Sequence, residues 1–389
     1  MNIFILTAFE DSMRKETGGS VRIYNLARGL AKAGNNVEVV LPNYQTNHKN
    51  VDGIPVHELH GFMPKALLQA VGNQTKIARP SSFYFFDFLF LIRAIPVLHK
   101  ADIVQVEQPI LALLLTPFIQ RLLGKPVALD CHDVFQARRV RQTGPVRRIL
   151  ETFLEKVAYR NADLVITVSE KEKQLLISSG VPENKVIVAP NGVDTASFEK
   201  KVDAQTIKKR LGFTDCPMVV FLGNLSYLPN QEALQTISST IAPRVMAEVP
   251  NVKFLAIGKI PPGFSPLPHI QFTGFVEDAA EVLATSDVGI APLHHGSGTR
   301  LKILEYLSCG IPVVSTSVGA EGLHVTDGQS IFIADDPQEF AAQITHLLKD
   351  PALSLAAGAA GREVAKSYDW KKIAEKLQAD YKNFLLEKA

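Results

Sequence analysis

The feature that most constrains the fold is a recurrence of short apolar runs, each separated from the next by a segment long enough to form a helix. In the first half of the chain these runs are NIFIL, VEVVLP, DIVQVE, PVALDCHD, DLVITVS and KVIVAPNGV. Short continuous apolar runs are typical of strands buried on both faces, which occur in parallel sheets covered by helices. The pattern predicts an α/β fold built on a doubly wound parallel sheet.

The same pattern starts again after the polar stretch PNGVDTASFEK. Six further runs follow, namely PMVVFLG, VKFLAIG, IQFTG, DVGIAPL, IPVVST and SIFIA. We therefore predict two doubly wound sheets in tandem, with domains at residues 1–191 and 192–369 and a closing amphipathic helix at 370–389 that packs back on the first domain. Such sheets bind ligands at the carboxyl ends of their strands, so two crevices could face each other.

The first strand, residues 2–9, is followed by a Gly-Gly loop and a helix at residues 21–33. Ser20 is the expected N-cap and Gly34 the expected C-cap. Gly18 and Gly19 lack a Cβ and would let the backbone approach a ligand closely, although a tight turn explains the pair equally well. The G-x-G-x-x-G pattern is missing from this loop, which argues against a dinucleotide fingerprint.

Composition excludes several classes of protein. With 389 residues, 46% hydrophobic and 21% charged, the chain has ordinary globular usage and is long enough for two cores. Cys131, Cys216 and Cys309 are scattered and include no C-x-x-C pair, so we expect neither a disulfide framework nor a zinc site. The N-terminus is typical of a strand and not of a signal peptide, and the longest apolar stretch, residues 83–98, is interrupted by Asp87 and Arg93. These features predict a cytoplasmic protein.

Charge is divided unevenly along the chain. Residues 1–191 carry 23 Lys and Arg against 17 Asp and Glu, whereas the remainder carries 18 against 22. Residues 138–148 hold five Arg and no acid. This run is either a solvated loop or a patch for an anionic acceptor or acidic lipid headgroups, with peripheral contact at the inner face of a membrane. The aromatic residues at 83–90 would suit a lipid-linked acceptor but suit a core equally well, and we expect no nucleic-acid partner.

The stretch GSGTRLKILEYLSCGIPVVST places Arg300, Lys302 and Glu305 at the start of a predicted helix. Backbone N–H groups at a helix N-terminus, with two cations beside them, form an anion site suited to a phosphate. Glu305, about one turn into the helix, could accept hydrogen bonds from a diol such as a ribose. The alternative is a solvated first turn, because helix ends collect charge for weak electrostatic reasons.

This stretch, together with FLGNLSYLPNQEA, VAPNGVD, HIQFTGFVED and AYRNADLVITVSE, resembles the family 4 retaining glycosyltransferases of GT-B fold. The resemblance implies transfer of a sugar from a nucleotide-sugar donor with retention at the anomeric carbon. It further implies that the second Glu of the family's Glu-x7-Glu motif, here Glu305, binds the ribose. The first Glu of that motif is replaced by Ser297. The donor-binding residues expected in this stretch are Ser297, Gly298, Thr299, Arg300, Lys302, Ile303 and Glu305.

The family usually supplies an Arg and a Lys to the pyrophosphate from the loop after the first strand of the second domain. Here that loop begins with Gly223 and Asn224, which we expect near the donor, and it contains no cation. We therefore assign the missing charges to Arg300 and Lys302. The resemblance also implies that backbone groups of Phe275 and Val276 bracket the nucleotide base.

His132 lies in the DCHD stretch at the end of a buried strand. A histidine in this place is often structural, but the resemblance implies contact with the donor sugar, and the predicted catalytic residues are therefore His132, Arg300 and Lys302. The DCHD stretch has too few oxygen ligands for a convincing hard-cation site. The family generally uses no metal, so we expect no metal and no cofactor apart from the nucleotide sugar as substrate.

No side-chain nucleophile is evident, which favours a front-face reaction in which the leaving phosphate helps to deprotonate the acceptor. Two rivals remain. One is a nucleotide-sugar epimerase of similar architecture, which would need carboxylate acid–base pairs at the sugar. The other is a nucleotide-sugar-binding protein without turnover, which Ser297 alone supports.

Overall fold

The computed structural model describes residues 1–7, 13, 18–43, 46–60, 88–132, 145–198, 203–213, 216–276, 278–295 and 299–388, with backbone only at 88, 89, 91, 145–148 and 150. The chain divides into two compact units. The first comprises Met1–Pro190 with Trp370–Ala389, and the second comprises Asn191–Asp369. Among the described residues, no helix is both long and apolar enough to cross a bilayer.

The first unit is built on an eight-stranded sheet of order β3-β4-β2-β1-β5-β6-β7-β8. All neighbouring strands are parallel except β3 and β4. Its strands are β1 (Asn2–Leu6), β2 (Asn36–Asn43), β3 (Asn47–Val51), β4 (Ile54–His60), β5 (Ile103–Glu107), β6 (Val127–Asp130), β7 (Leu164–Thr167) and β8 (Val186–Val188). The chain winds from β1 to one side and then crosses to β5 on the other, which makes the β1/β5 junction the topological switch point.

Helices cover this sheet, whose central strands are fully buried, as continuous apolar runs predict. They are α1 (Gly18–Lys32), α2 (Phe88–Leu98), α3 (Pro109–Leu123), α4 (Pro145–Asn161) and α5 (Glu170–Ser178). The predicted loop at Gly18 and Gly19 and the predicted N-cap at Ser20 are wrong, because both glycines are already helical and Ser20 is buried within α1. The first N–H groups of a helix need no intrahelical partner, which makes glycine tolerable there.

The antiparallel pair β3 and β4 was not predicted. The two strands are joined by Asp52 and Gly53, with φ angles of 52° and 87°. Positive φ at both central residues is typical of a two-residue hairpin turn, for which Asp-Gly is a favoured sequence. The signal was therefore present in the sequence.

The second unit contains a six-stranded parallel sheet of order β11-β10-β9-β12-β13-β14. Its strands are β9 (Met218–Leu222), β10 (Lys253–Ile257), β11 (Ile270–Gly274), β12 (Val288–Ala291), β13 (Val313–Ser315) and β14 (Phe332–Ile333). The winding reverses between β9 and β12, so this junction is the switch point of the second sheet. The two sheets confirm the predicted tandem of doubly wound parallel folds.

The helices of the second unit are α6 (Ala204–Leu211), α7 (Leu228–Thr236), α8 (Ala242–Glu248), α9 (Ala279–Leu283), α10 (Leu301–Cys309), α11 (Pro337–Lys349) and α12 (Pro351–Ser367). Buried clusters lie on both faces of the sheet, one around Phe254 and Ile290 and the other around Leu255 and Ile303.

The closing helix, α13 (Trp370–Lys388), belongs to the first unit and packs on α1. Gly29 permits this approach, since a Cβ at that position would lie 2.6 Å from Cβ of Ala374. Ile373, Leu377 and Tyr381 form its buried stripe. The hydroxyl of Tyr381 lies among buried polar side chains of the first unit and donates to Gln105.

Candidate functional site

The second unit brings polar groups together at its switch point, where β9 and β12 end and α10 begins. Tyr306 on α10 holds this arrangement, because its hydroxyl accepts a hydrogen bond from Leu222 N at 2.7 Å and donates to Ile290 O at 3.3 Å. The ring passes over Gly289, where a Cβ would lie 2.7 Å from ring carbons. The helix α10 is therefore anchored through Tyr306 to the carboxyl ends of both central strands.

Lys302 lies in that first turn and reaches toward the loop after β9. Its Nζ donates to Oδ1 of Asn230 at 2.8 Å and lies 4.0 Å from the ring centroid of Phe221. Burial, with a smaller contribution from Arg300, lowers the pKa of Lys302 to about 7. Among the described residues no salt bridge reaches this ammonium group, so neutral partners hold it.

Gly223 and Asn224 form the surface against which Lys302 lies. A Cβ on Gly223 would come within 2.7 Å of Asn230 Nδ2 and 2.9 Å of Lys302 Nζ, so any other residue here would displace these two groups from their present positions. Asn230 Nδ2 donates to Asn224 O at 2.8 Å, which connects the loop to the lysine. Gly258, with φ of 147°, is equally constrained, because a Cβ there would lie 1.9 Å from Gly223 O.

Glu305 lies on the same helix and is half-buried. Burial raises the pKa of Glu305 to about 7, and the charge of Lys302 opposes this shift only in part. No hydrogen bond reaches its carboxylate from the part of the chain that the structure describes. We call Lys302, Glu305, Asn230, Gly223 and Asn224 the Lys302 site.

The other predicted donor-binding residues differ in how far they are buried. Arg300 is the half-buried N-cap of α10, and Thr299 before it is buried. Ile303 points into the core, and its N–H already donates to Arg300 O at 3.1 Å. Phe275, just after β11, is 70% exposed, whereas Val276 packs partly on the core. Ser297 and Gly298 lie outside the described residues.

The first unit contains a second polar arrangement, at the carboxyl ends of β5 and β6. Arg22 of α1 is 1% exposed and binds Asp130 with two hydrogen bonds, from Nε to Oδ2 at 2.9 Å and from Nη2 to Oδ1 at 2.8 Å. Its Nη1 donates to Pro190 O at 3.2 Å. Burial alone would lower the pKa of Arg22, but Asp130 outweighs it and raises that pKa, so the guanidinium stays charged.

Glu107 ends β5 and is fully buried. Its Oε1 accepts a hydrogen bond from Gln105 Nε2 at 2.8 Å, and its Oε2 lies 2.5 Å from Nε2 of His132. Gln105 is fixed in turn by the hydroxyl of Tyr381, which donates to its Oε1 at 2.7 Å. We call Arg22, Gln105, Glu107, Asp130 and His132 the Glu107 cluster.

The pKa values of both Glu107 and His132 are raised, each for a different reason. Burial and the nearby Asp130 carboxylate raise the pKa of Glu107. Burial would lower the pKa of His132, but its hydrogen bond to Glu107 and the charges of Glu107 and Asp130 outweigh burial and raise that pKa. Both shifts mean that the pair keeps a proton to higher pH than separate side chains would.

Ligand atoms of Glu107, Asp130 and His132 lie within 4.8 Å of one another, a spacing that could hold a metal ion. Both oxygens of Asp130, however, already accept from the Arg22 guanidinium. A cation here would compete with Arg22 for the same carboxylate. The contacts are those of a buried ion-pair network, and the expectation of a metal-independent protein stays a prediction.

The residue after Glu107 has an unusual backbone. Gln108 has φ of 82° and ψ of 140°, a region that residues with a side chain rarely adopt, and it precedes the first turn of α3. Backbone strain of this kind clusters at functional sites. Gly18 and Gly19, at the start of α1, come after β1, which is one of the two strands at the switch point of this sheet.

The structure brings His132 together with two residues that sequence reasoning missed, Arg22 and Glu107. Gln108, whose N–H donates to Asp130 O at 3.1 Å, was missed as well. One signal was available: Gln105 and Glu107 are two polar residues at alternate positions of an otherwise apolar strand. Likewise, Arg22 falls on the apolar stripe of α1. Asp133, the last residue of the DCHD stretch, lies outside the described residues.

Comparison with known proteins agrees with this architecture. Residues 216–350 match the family described as glycosyl transferases group 1, and residues 17–197 match glycosyltransferase family 4. The sulfoquinovosyl transferase SQD2 of Arabidopsis thaliana is 25% identical over 300 residues, which cover 72% of this chain and 56% of that protein. The phosphatidyl-myo-inositol mannosyltransferase of Mycolicibacterium smegmatis is 28% identical over 204 residues, 49% of this chain and 50% of that protein. The chain thus spans about half the length of these curated relatives.

Among solved structures, Anabaena Alr3699/HepE in complex with UDP matches with a TM-score of 0.72 at 16% identity, covering 98% of this chain and 100% of that one. At this identity the likeness shows the fold alone, which is GT-B. The two family matches cover most of both units, and the chain therefore belongs to the group 1, family 4 glycosyltransferases.

Proposed function

We propose that the protein is a retaining glycosyltransferase that moves a sugar from a nucleotide-sugar donor to an acceptor hydroxyl. The observation that carries the proposal is the Lys302 site. It combines a cation held by neutral partners with a carboxylate to which no described residue hydrogen bonds, at the switch point of a doubly wound sheet. The solved neighbour that contains UDP supports a nucleotide as the ligand.

In this proposal Arg300, Lys302 and the first N–H groups of α10 bind the pyrophosphate. Helix N-termini favour anions because their N–H groups lack intrahelical acceptors. An anion beside Lys302 would also raise its pKa from about 7, so that donor binding restores the full positive charge. Two cations would then stabilise the charge that develops on the leaving diphosphate, without a metal or a further cofactor.

The remaining donor contacts follow from the same helix and the neighbouring strand. Glu305 in its carboxylate form would accept hydrogen bonds from the two ribose hydroxyls. The exposed ring of Phe275 and the backbone of Val276 would lie against the base. His132 would contact the transferred sugar.

For the reaction itself we propose a front-face displacement. The acceptor oxygen bonds to the anomeric carbon on the face from which the diphosphate leaves, as the bond from that carbon to the phosphate oxygen breaks. The departing phosphate oxygen takes the acceptor's proton. This route needs no protein nucleophile, which agrees with Ser297 at the place of the family's first motif carboxylate.

For the acceptor we propose an anionic or lipid-linked molecule, reached by peripheral contact with the cytoplasmic face of a membrane. On α4, Ile149 and Phe153 are 72% and 61% exposed, whereas Glu151 and Glu155 are buried, which reverses the usual polarity of a surface helix. The Arg-rich run at residues 138–148 leads directly into this helix, although 138–144 lie outside the described residues. The similarity to the phosphatidyl-myo-inositol mannosyltransferase of Mycolicibacterium smegmatis supports this class.

Two measurements test the proposal. A thermal-shift screen against UDP, GDP and ADP identifies the base, because a ligand at 100 times its dissociation constant stabilises by about 2.7 kcal/mol. Incubation of the matching sugar-labelled donor with vesicles containing anionic lipids should then give a labelled lipid with the donor's anomeric configuration. An epimerised donor, an inverted product or tight nucleotide binding without any turnover would each contradict the proposal.

A further inference from the structure

We propose that Asn230 is a positioning residue for the reaction. Its side-chain amide holds the Lys302 ammonium over the loop after β9 and, because it is neutral, leaves that ammonium free to pair with the donor diphosphate. The inference rests on the proposed function, since it assumes that Lys302 binds the diphosphate. Asn230 touches no reacting atom in this proposal and acts only through Lys302.

The amide of Asn230 has one favourable orientation. Its Nδ2 donates to Asn224 O at 2.8 Å, and a backbone carbonyl oxygen can only accept. Its Oδ1 therefore points to the other side, where it accepts from Lys302 Nζ at 2.8 Å. Turning the amide over would bring two acceptors together at Asn224 and two donors together at Lys302. The two hydrogen bonds thus decide which amide atom faces the ammonium group.

The backbone that carries this amide is fixed as well. The N–H of Asn230 donates to Tyr227 O at 2.9 Å at the start of α7, and Ser226 N donates to Oδ1 of Asn224 at 2.9 Å. Asn230 is only 6% exposed. The loop after β9 is closed on itself by these bonds, so the position of the amide oxygen is set before any ligand binds.

The surroundings of Lys302 suit an anion from outside the protein. Residues 223–231 include no charged side chain, and the other close contact of the ammonium group is the ring of Phe221. An ammonium group has three N–H donors, of which one is used by Asn230 among the residues that the structure describes. The remaining donors can meet phosphate oxygens. The loop therefore contributes to anion binding by holding a charge that α10 supplies.

The direct test is a double-mutant cycle between Asn230 and Lys302. Asn230→Ala releases the ammonium group, and turnover at saturating donor should fall about tenfold, the scale of a lost hydrogen bond to a charged group. In the Lys302→Met background the same change should lower turnover by less than about twofold, since no ammonium group remains to be positioned. Equal losses in the two backgrounds would overturn the proposal.

Gln231 provides a matched control in the same loop. Its Nε2 donates to Leu225 O at 2.7 Å, and among the described residues no hydrogen bond joins it to Lys302. Gln231→Ala should shift the urea midpoint about as much as Asn230→Ala does, while turnover stays within about twofold of the wild type. A loss of turnover as large as that of Asn230→Ala would mean that the integrity of the loop matters and the contact with the lysine does not.

Asn230→Asp tests the need for a neutral partner, because the two side chains have nearly the same shape. A carboxylate would pair with Lys302 inside the protein and repel an incoming diphosphate. Whichever of UDP, GDP and ADP stabilises the wild type should therefore bind this variant at least about tenfold more weakly in titration calorimetry. The unfolding midpoint without ligand reports any change in folding separately. Unchanged affinity in Asn230→Asp would contradict the proposal.

Failure of the inference and failure of the proposed function give different results. If the wild type transfers sugar and the Asn230 variants behave like Gln231→Ala, the role of Asn230 is wrong and the function stands. The same cycle can be measured on diphosphate binding without turnover. If Asn230 and Lys302 are coupled in binding while no sugar is transferred, the positioning role stands and the function is wrong. If none of the three nucleoside diphosphates binds, both are wrong.

Discussion

The two units contain buried charged groups that are arranged in opposite ways. In the Glu107 cluster, Arg22, Asp130, Glu107 and His132 neutralise one another through hydrogen bonds of 2.5–2.9 Å. In the Lys302 site, the ammonium group is held by an amide oxygen and an aromatic ring, and no described residue hydrogen bonds to the Glu305 carboxylate. The pKa of Lys302 falls to about 7 and that of Glu305 rises to about 7 because burial penalises both charges. Among the residues that the structure describes, the first arrangement is electrically complete without a ligand, whereas the second becomes complete only when one binds.

The comparison predicts that removing a charge lowers mainly stability in the Glu107 cluster and mainly activity in the Lys302 site. Removing a charge from a complete network leaves its partner buried and uncompensated, which typically costs several kcal/mol. Removing a charge from an incomplete site relieves a desolvation penalty and should affect mainly ligand binding and turnover.

The largest effect is expected for Arg22→Met. The variant leaves Asp130 and Glu107 without their guanidinium, and we expect about 3–5 kcal/mol lower stability at pH 7 by urea unfolding. Arg22 is one of the groups that lower the pKa of Glu107, so its loss raises that pKa further, and the deficit should shrink as pH falls and Glu107 becomes protonated. Lys32→Met, an exposed position on the same helix, is the control and should change stability by less than about 0.5 kcal/mol. Equal stability of Arg22→Met and wild type would break the comparison.

Lys302→Met should show the reverse pattern. We expect stability within about 1 kcal/mol of the wild type, since a buried charge is replaced by an apolar chain of similar length. Turnover should fall on the order of 10²-fold, the usual cost of deleting one charge-stabilising donor, and Arg300→Ala should behave similarly. The wild type should keep full activity in EDTA. Loss of activity in EDTA, or normal turnover in both variants, would contradict the proposal that Arg300 and Lys302 stabilise the leaving diphosphate.

A smaller effect is expected for Glu305→Gln, measured as donor affinity against pH. The carboxylate form is the better acceptor for ribose hydroxyls, so wild-type affinity should rise as pH increases toward about 7 and fall above it, where Lys302 loses its proton. The variant should lack the acidic limb of this profile and keep the alkaline one. A nucleotide analogue without the ribose diol should bind both proteins equally. A uniform loss of affinity for both ligands would count against the ribose contact.

The smallest effect per residue is expected for the Arg-rich run at residues 138–148. Arg138→Gln, Arg139→Gln and Arg141→Gln together should weaken binding to anionic vesicles by about 1 kcal/mol per residue at low salt, and by less at physiological salt, where the screening length is about 8 Å. The same change to the three consecutive basic residues of α6, 208–210, should leave vesicle binding unchanged. Equal binding of the first triple variant at low salt would make the run an ordinary solvated loop.

Much of the fold could be predicted from local sequence. The apolar runs gave the positions of the parallel strands, and Gly34, with φ of 86°, ends the first helix as expected. The hairpin of β3 and β4 was missed although Asp52 and Gly53 marked it, because its strands are short and polar on the edge. The start of α1 differs from the prediction because glycine, a common loop residue, is also tolerated in the first turn of a helix.

The sequence by itself determined where strands and helices form, since those depend on periodicity over a few residues. It also identified Arg300, Lys302, Glu305 and His132 as candidates, because they lie in short recognisable stretches. Only the tertiary structure decided which of them meet other charges. Arg22 and Asp130 are 108 residues apart in the chain, and Lys302 and Asn230 are 72 apart. Whether a buried group is neutralised depends on contacts between distant segments, and its pKa depends on those contacts and on burial, neither of which local sequence determines.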